Sequence, residues 1–317
     1  MTKPKAFLGI DTSNYTTSIA VCDENCNVIA NIKKLLDVKE GELGLRQSDA
    51  VFSHIKNFPI LADKLCEVIK DYTIAAVGVS TRPRDVEGSY MPCFLSGKAV
   101  AEMIASTHNV PVYDFSHQAG HIMAALYSSM AINNLLRDSF IAFHISGGTT
   151  EALLVRPSHT SFDVSIIAET ADISAGQAID RAGVMMGLKF PCGKELEVLA
   201  SKYNGKIPPA KICVKNLKCN LSGLENMAAK LYRDTDNREL VSAFVLDFIA
   251  RTLTRITKDI RELYPEIPVV YAGGVMSNNY LKQTLASFSN TYFSEPQFSS
   301  DNAAGIALLT QRAFLYK

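Results

Sequence analysis

Two histidines four residues apart are the first place in this chain where residue type and spacing could do chemistry. In His117-Gln118-Ala119-Gly120-His121 both imidazoles fall on one helix face, the spacing at which two rings hold one metal ion. Two imidazoles do not complete a site, and a carboxylate is the expected third ligand. The alternative is a helix capped by Ser116 that carries two unrelated histidines. The metallopeptidase pattern H-E-x-x-H is absent: Gln118 and Ala119 stand between the histidines, so no general-base Glu is available there.

Anion chemistry is suggested elsewhere. Ser146-Gly147-Gly148-Thr149-Thr150 is a turn without bulky side chains, where backbone N–H groups can converge on a phosphate. Gly273-Gly274, after a buried strand, offers the same, although a glycine turn is also simply a turn. Asp11, at the end of the first strand, can coordinate a cation or hold water near phosphates. Asp180 can accept from ribose hydroxyls, and both aspartates are equally at home as solvated residues. Ser299-Ser300-Asp301-Asn302 reads as a helix cap. Arg82 and Arg84 can bind an anion, or pair internally with Asp85 and Glu87.

The elements that position these residues repeat. Residues 6–10, 17–22 and 28–32 read as strands, with a polar turn at 11–14. A helix is expected over 49–72, with Val51, Phe52, Ile55, Phe58, Leu61, Leu65, Val68 and Ile69 on one face. A strand at 74–80, a helix at 94–107, a strand at 110–112 and a helix capped by Ser116 follow. The pattern restarts with strands at 140–145, 152–155 and 162–167. A mostly helical stretch spans 174–264, then come a strand at 268–272 and a helix from 302. "FLGIDTSNYTTSIAV" and "FHISGGTTEALLV" share one plan, and "AAVGVS" and "VVYAGGV" play matching later roles. Each half is three antiparallel strands followed by alternating helices and strands, which excludes a plain Rossmann sheet. The expected fold is α/β, two duplicated lobes around a ligand cleft. The N-terminal lobe spans 1–115 with helix 302–317 packing back on it; the C-terminal lobe spans 116–301, with a helical insertion over about 174–235.

Composition sets the class. Of 317 residues, 47% are hydrophobic and 20% charged, enough apolar surface for a sizeable core. Lys+Arg and Asp+Glu are 32 each, so bulk charge does not grip nucleic acid, and nucleic-acid binding would need a local basic patch or a partner that supplies one. No apolar run reaches the ~18–20 residues of a membrane helix, and no signal-peptide pattern is present at Met1-Thr2-Lys3. Seven scattered cysteines suit reduced thiols in a cytoplasm.

In order along the chain, "GIDTSNYTTSIAV", "HQAGH", "ISGGTTEALLV", "DISAGQAIDRAG", "LSGLENMAAK", "YAGGVMSNNYLK" and "SSDNAAGIAL" together resemble the TsaD family, formerly called glycoprotease or O-sialoglycoprotein endopeptidase. The resemblance implies the actin-like ATPase (ASKHA) fold. It also implies transfer of a threonylcarbamoyl group from threonylcarbamoyl-AMP to N6 of the anticodon-adjacent adenosine in tRNA. His117 and His121 resemble the family's metal-binding pair, and Asp301 its distant carboxylate ligand, for one divalent ion, iron or zinc. Ser146, Gly147 and Gly148 resemble the phosphate-side loop that takes the adenine nucleotide or acyl-adenylate. Asp180, Gly193 and Asn278 resemble residues around the nucleoside, and Asp11 is assigned a catalytic role. A hetero-complex with a related ASKHA-fold subunit is implied, with no membrane.

The chain also departs from the family pattern. Tyr15 and Thr16 stand where two adjacent acids are usual, Ala119 for a Glu, Thr149 for a His, Ile173 for an Asp and Gln177 for a Glu. "RPRDVEGSYMP" replaces a Gly-rich loop. This pattern fits a divergent paralogue with altered chemistry or acceptor. A non-catalytic nucleotide-binding paralogue in a complex is the alternative, and a metallopeptidase a weaker one.

Overall fold

A computed structural model describes residues 3–13, 15–37 and 45–316. Strands β1 (Lys5–Ser13) and β2 (Thr16–Asp23) are runs of apolar and small residues, and nearly every position is buried. Strands covered on both faces have this character. β3 (Val28–Leu35), α1 (Gln47–Ile69), β4 (Thr73–Arg82), α2 (Phe94–His108), β5 (Val112–Ser116), α3 (His117–Ser128) and the single turn α4 (Ile132–Leu135) complete the first set. The sheet order is β3-β2-β1-β4-β5, antiparallel across β3-β2-β1 and parallel from β1 to β4 to β5.

The second set begins with β6 (Phe140–Ile145), β7 (Thr150–Pro157), β8 (Phe162–Thr170), α5 (Ala175–Met185) and α6 (Gly193–Lys202). β9 (Cys213–Lys215), β10 (Lys218–Asn220), α7 (Gly223–Thr235) and α8 (Arg238–Leu263) follow. β11 (Val269–Ala272), a 3-10 turn (Gly274–Ser277), α9 (Asn279–Leu285), β12 (Thr291–Phe293), α10 (Pro296–Ser299) and α11 (Ala304–Leu315) end the chain. Its sheet runs β12-β11-β6-β7-β8-β10-β9. Without the short β9 and β10, the order β8-β7-β6-β11-β12 repeats β3-β2-β1-β4-β5, so the duplication extends to strand order. No helix among the described residues is long and apolar enough to cross a membrane.

The chain divides into two compact units, residues 1–133, 156–163 and 297–317, and residues 134–155 and 164–296. The sequence predicts the first boundary after 115 and puts 116–301 in the second lobe. Instead α3 and the segment 297–301 belong to the first unit, because α3 packs against α11 and α11 against β1, β2 and β4. That packing needs glycine: a Cβ on Gly305 would fall on the Gly120 carbonyl oxygen, and one on Gly9 would reach 2.7 Å from the Ala303 oxygen. Buried Ile306, Leu308 and Leu309 then contribute roughly 1.5–3 kcal/mol each.

Other differences have local causes. Residues 11–13 are strand rather than turn, because Thr12 pairs with Thr17 and Ser13 with Thr16. Asn14, the last residue of that expected turn, lies outside the described residues. β5 runs to Ser116, beyond the expected 110–112, because its polar end still pairs with β4. Phe52 and Ile55, expected on the buried face of α1, are 63% and 58% exposed. The helix instead turns His54 and Asn57 inward to hydrogen-bond Thr17 Oγ1 at 2.8 and 3.0 Å. β9 and β10 interrupt the stretch expected to be mostly helical.

Candidate metal centre and ligand loops

In the first unit, Ser116 ends β5 and caps α3, its hydroxyl oxygen accepting from the Ala119 N–H at 3.1 Å. His117 and His121 therefore lie on the first two turns of a helix whose other side is buried. Their Nε2 atoms approach to 2.9 Å. Asp301 Oδ1 lies 3.2 Å from His121 Nε2 and 3.6 Å from His117 Nε2. The expected cap at residues 299–302 has a different owner: Asn302 Oδ1 accepts the Ala304 N–H at the start of α11. Asn302 Nδ2 donates to the Phe298 and Ser300 carbonyls, which leaves the Asp301 carboxylate to face the histidines.

Asp11 sits beneath this group, fully buried. Its Oδ1 lies 2.8 Å from His117 Nδ1 and accepts from Ser80 Oγ, and its Oδ2 accepts from the Ser13 N–H. A carboxylate on Nδ1 fixes the tautomer of a ring and leaves Nε2 as the ligand atom. Full burial against His117 is the placement of a carboxylate that orients a ligand ring. Burial pushes the Asp11 carboxyl up, but His117, then Ser80, outweigh it and hold it below the ordinary range. Burial pushes His117 down, yet Asp11 and then Asp301 raise it to about 10. Asp301, pushed up by burial, is held well below the usual carboxylate range by hydrogen bonds from His117 and His121.

These residues fit a metal ion. Tetrahedral ligand atoms about 2.0–2.1 Å from one ion lie about 3.3 Å apart, and the three separations here, 2.9, 3.2 and 3.6 Å, straddle that value. Three protein ligands leave a fourth position for water or substrate, the pattern of a catalytic rather than a structural site.

In the second unit, the β6–β7 turn is closed by the Ser146 N–H on the Thr149 carbonyl at 2.8 Å. Ser146 Oγ accepts from the Gly148 and Thr149 N–H groups. A Cβ on Gly147 or Gly148 would meet nothing within 4 Å, so the turn offers open backbone. Ser174, the N-cap of α5, donates from its hydroxyl to the Gly147 carbonyl at 2.6 Å, and Gly176 seats its backbone against Gly147. Asp180 Oδ1 accepts from the Cys192 N–H at 2.8 Å, which brings Asp180 beside Gly193, the first residue of α6. Asn278 caps α9 by accepting from the Leu281 N–H, and the 3-10 turn leading to it packs on α5. α5 thus joins all the expected ligand residues of this unit.

The departures have visible places. Gln177 forms a capping box with Ser174, which Gln and Glu make equally well. Ile173 packs against the apolar core. Ala119 is buried, Thr16 is buried in β2, and Tyr15 is 40% exposed. Sequence reading misses Ser80 under Asp11, Lys33, whose Nζ donates to Ser300 Oγ at 2.7 Å, and the bond from Ser116 to Asp85. The expected Arg82–Asp85 pairing is present, at 2.6 Å.

A family model described as "TsaD: tRNA N6-adenosine threonylcarbamoyltransferase" matches residues 27–308. A relative named tRNA N6-adenosine threonylcarbamoyltransferase, from Streptococcus sanguinis SK36, is 29% identical over 300 residues, covering 90% of this chain and 84% of its own. One of the same name, from Streptococcus pneumoniae D39, is 28% identical over 323 residues, covering 96% and 91%. Among solved structures, full-length HypF matches with TM-score 0.60 at 14% identity, covering 99% of this chain and 56% of that one. Component A of (R)-2-hydroxyglutaryl-CoA dehydratase from Acidaminococcus fermentans matches with TM-score 0.54 at 16% identity, covering 98% and 99%. These likenesses carry the fold alone, which is the actin-like ATPase fold, with its two sheets.

Proposed function

The chain belongs to the TsaD family, and on that premise we propose that it is a tRNA N6-adenosine threonylcarbamoyltransferase. It moves a threonylcarbamoyl group from threonylcarbamoyl-AMP to N6 of the anticodon-adjacent adenosine and releases AMP. One observation carries this reading: His117 Nε2, His121 Nε2 and Asp301 Oδ1 converge, with all three atoms within 4.8 Å of one another.

His117, His121 and Asp301 would hold one divalent ion, iron or zinc. When bound, that ion supplies Lewis acidity to polarise the acyl carbonyl. Asp11 is a positioning residue that keeps the His117 proton on Nδ1. The Gly147 and Gly148 backbone takes the adenylate phosphate, and Asp180, Gly193 and Asn278 surround the nucleoside. Asp180 suits this because its Oδ2 has no hydrogen-bond partner among the described residues. The balanced formal charge implies that tRNA is gripped with help from partners, a related ASKHA-fold subunit among them. All seven cysteines are free, as in a cytoplasmic protein.

A second reading, a nucleotide-binding paralogue without turnover, is favoured by Tyr15 and Thr16, which leave no acid at that turn. A metallopeptidase is disfavoured by Gln118 and Ala119, which leave no general-base Glu between the histidines. The test is elemental analysis of wild type and His117→Ala/His121→Ala, then threonylcarbamoyl-AMP turnover with bulk tRNA on the same samples. About one metal per chain, lost in the variant, with tRNA modified, is the expected result. Metal with adenylate binding but no turnover would establish the second reading. No metal would refute the centre.

A further inference from the structure

The loop that follows β4 carries a chain of contacts ending on the helix of the two histidines. Arg82 Nε donates to Asp85 Oδ1 at 2.8 Å, and its Nη2 lies 2.6 Å from the same oxygen. Arg82 Nη1 is held in turn by Thr81 Oγ1 at 3.0 Å. The other Asp85 oxygen, Oδ2, accepts from Ser116 Oγ at 2.5 Å. Ser116 is 1% exposed. Its hydroxyl has one proton and two lone pairs. With the proton committed to Asp85, a lone pair is aimed at the Ala119 N–H, which it accepts at 3.1 Å. One residue along, the Pro83 carbonyl accepts the Gln118 N–H at 3.0 Å. Two of the N–H groups that every helix start leaves unpaired are thus met from this loop and its serine partner. A carboxylate at this end is also on the favourable side of the helix dipole.

His117 is the residue between these anchors. Its ring must satisfy two demands at once, Nδ1 on Asp11 at 2.8 Å and Nε2 toward Asp301 and His121. A rotation of the first turn of α3 would break one to keep the other. We propose that Asp85, held by Arg82, is a positioning residue of the candidate metal centre, acting through Ser116 on the first turn of α3 to aim the His117 ring. This inference rests on the reading of His117, His121 and Asp301 as a metal site, and it concerns the loop in which this chain departs from the family pattern. Asp85 touches neither the histidines nor any reacting atom; its effect is transmitted through one hydroxyl.

The test is a double-mutant cycle on the full chain with Asp85→Ala, Ser116→Ala and the pair, read in two ways. The first is the dissociation constant for zinc, by competition with a chelator. The second is the position of the His117 ring resonances in the metal-free protein, assigned with His117→Gln. Each single change is expected to weaken zinc binding by about tenfold, at the lower end for residues behind a ligand. The pair is expected to cost no more than Ser116→Ala alone, since both act through one contact. The His117 resonances should move in all three variants while those of His159 stay. Asp85→Asn, which can still accept from Ser116, should recover most of the affinity. A wild-type zinc constant and unmoved resonances in folded Asp85→Ala would overturn the proposal, and so would effects that multiply in the pair. If the wild-type chain binds no zinc, the metal reading fails; the ring resonances still decide whether Asp85 positions His117. Should Asp85→Ala not fold, Ser116→Ala and Arg82→Met carry the same two measurements, and unchanged values in both would overturn it.

Discussion

The two candidate ligand regions are built on opposite principles. In the first unit the centre consists of side chains, ordered by a buried carboxylate: Asp11 is fully buried, His117 hangs from it, and Asp301 meets both histidines. In the second unit the Ser146–Thr149 turn consists of backbone, and its useful property is the absence of Cβ atoms at Gly147 and Gly148. A charge network in low dielectric is strong when complete and costly when one member is removed. A backbone turn loses only what it would have given its ligand. The two should therefore fail differently under mutation.

The largest effect is expected from Asp301→Ala. It removes the only carboxylate among the three grouped donor atoms and leaves two imidazoles facing each other, so metal content should fall from about one per chain to background by elemental analysis. Asp11→Asn should come next. The amide can no longer hold the His117 proton by charge, and metal affinity should drop about 10–100-fold by chelator competition. Asp11 also contributes to stability: its folded carboxyl lies below its ordinary value, so the contribution is present above the unfolded pKa and is lost as pH falls through the folded one. The unfolding free energy of the metal-free variant, by denaturant titration, should accordingly differ less from wild type at low pH than at neutrality.

Gly148→Ala sharpens the contrast from the other side. An added Cβ meets no atom within 4 Å, so thermal stability should stay within about 0.5 kcal/mol of wild type. Adenylate binding by calorimetry should weaken by about tenfold, because the added Cβ stands in the open space through which the phosphate reaches the backbone. Gly176→Ala is the control, because its Cβ would sit 2.6 Å from the Gly147 Cα and should destabilise by about 1–3 kcal/mol. The smallest effect is expected from Asp172→Asn. Burial pushes this carboxyl up, but the Leu221 N–H, then Ser222, hold it well below the ordinary range. It anchors the start of α7, and the variant should unfold more easily at pH 7 but match wild type below the folded pKa of Asp172.

The strands that open each half and the histidine pair were legible early, because both are local. β1, β2, β6 and β7 announce themselves as apolar runs around small polar turns, and the i, i+4 spacing puts His117 and His121 on one face wherever the helix packs. Phe52 and Ile55 were not legible, since periodicity cannot tell a core-facing stripe from one displaced by buried His54 and Asn57. Asp301 was legible only through resemblance: Ser299-Ser300-Asp301-Asn302 has cap chemistry, and Asn302 does perform a capping contact. The links from Ser80 to Asp11 and from Asp85 to Ser116 span 69 and 31 residues, with no spacing signal to connect them.

By itself the sequence determined the family, the duplicated plan and which residue types are available for a metal and a phosphate, because composition, periodicity and ordered motifs are properties of the chain. The tertiary structure alone decided that α3 belongs with α11 in the first unit, that Asp11 is buried against His117, and that Asp301 faces the histidines. Those outcomes depend on burial and on distances between residues remote in sequence, and the strength of a charge is set by what surrounds it after folding.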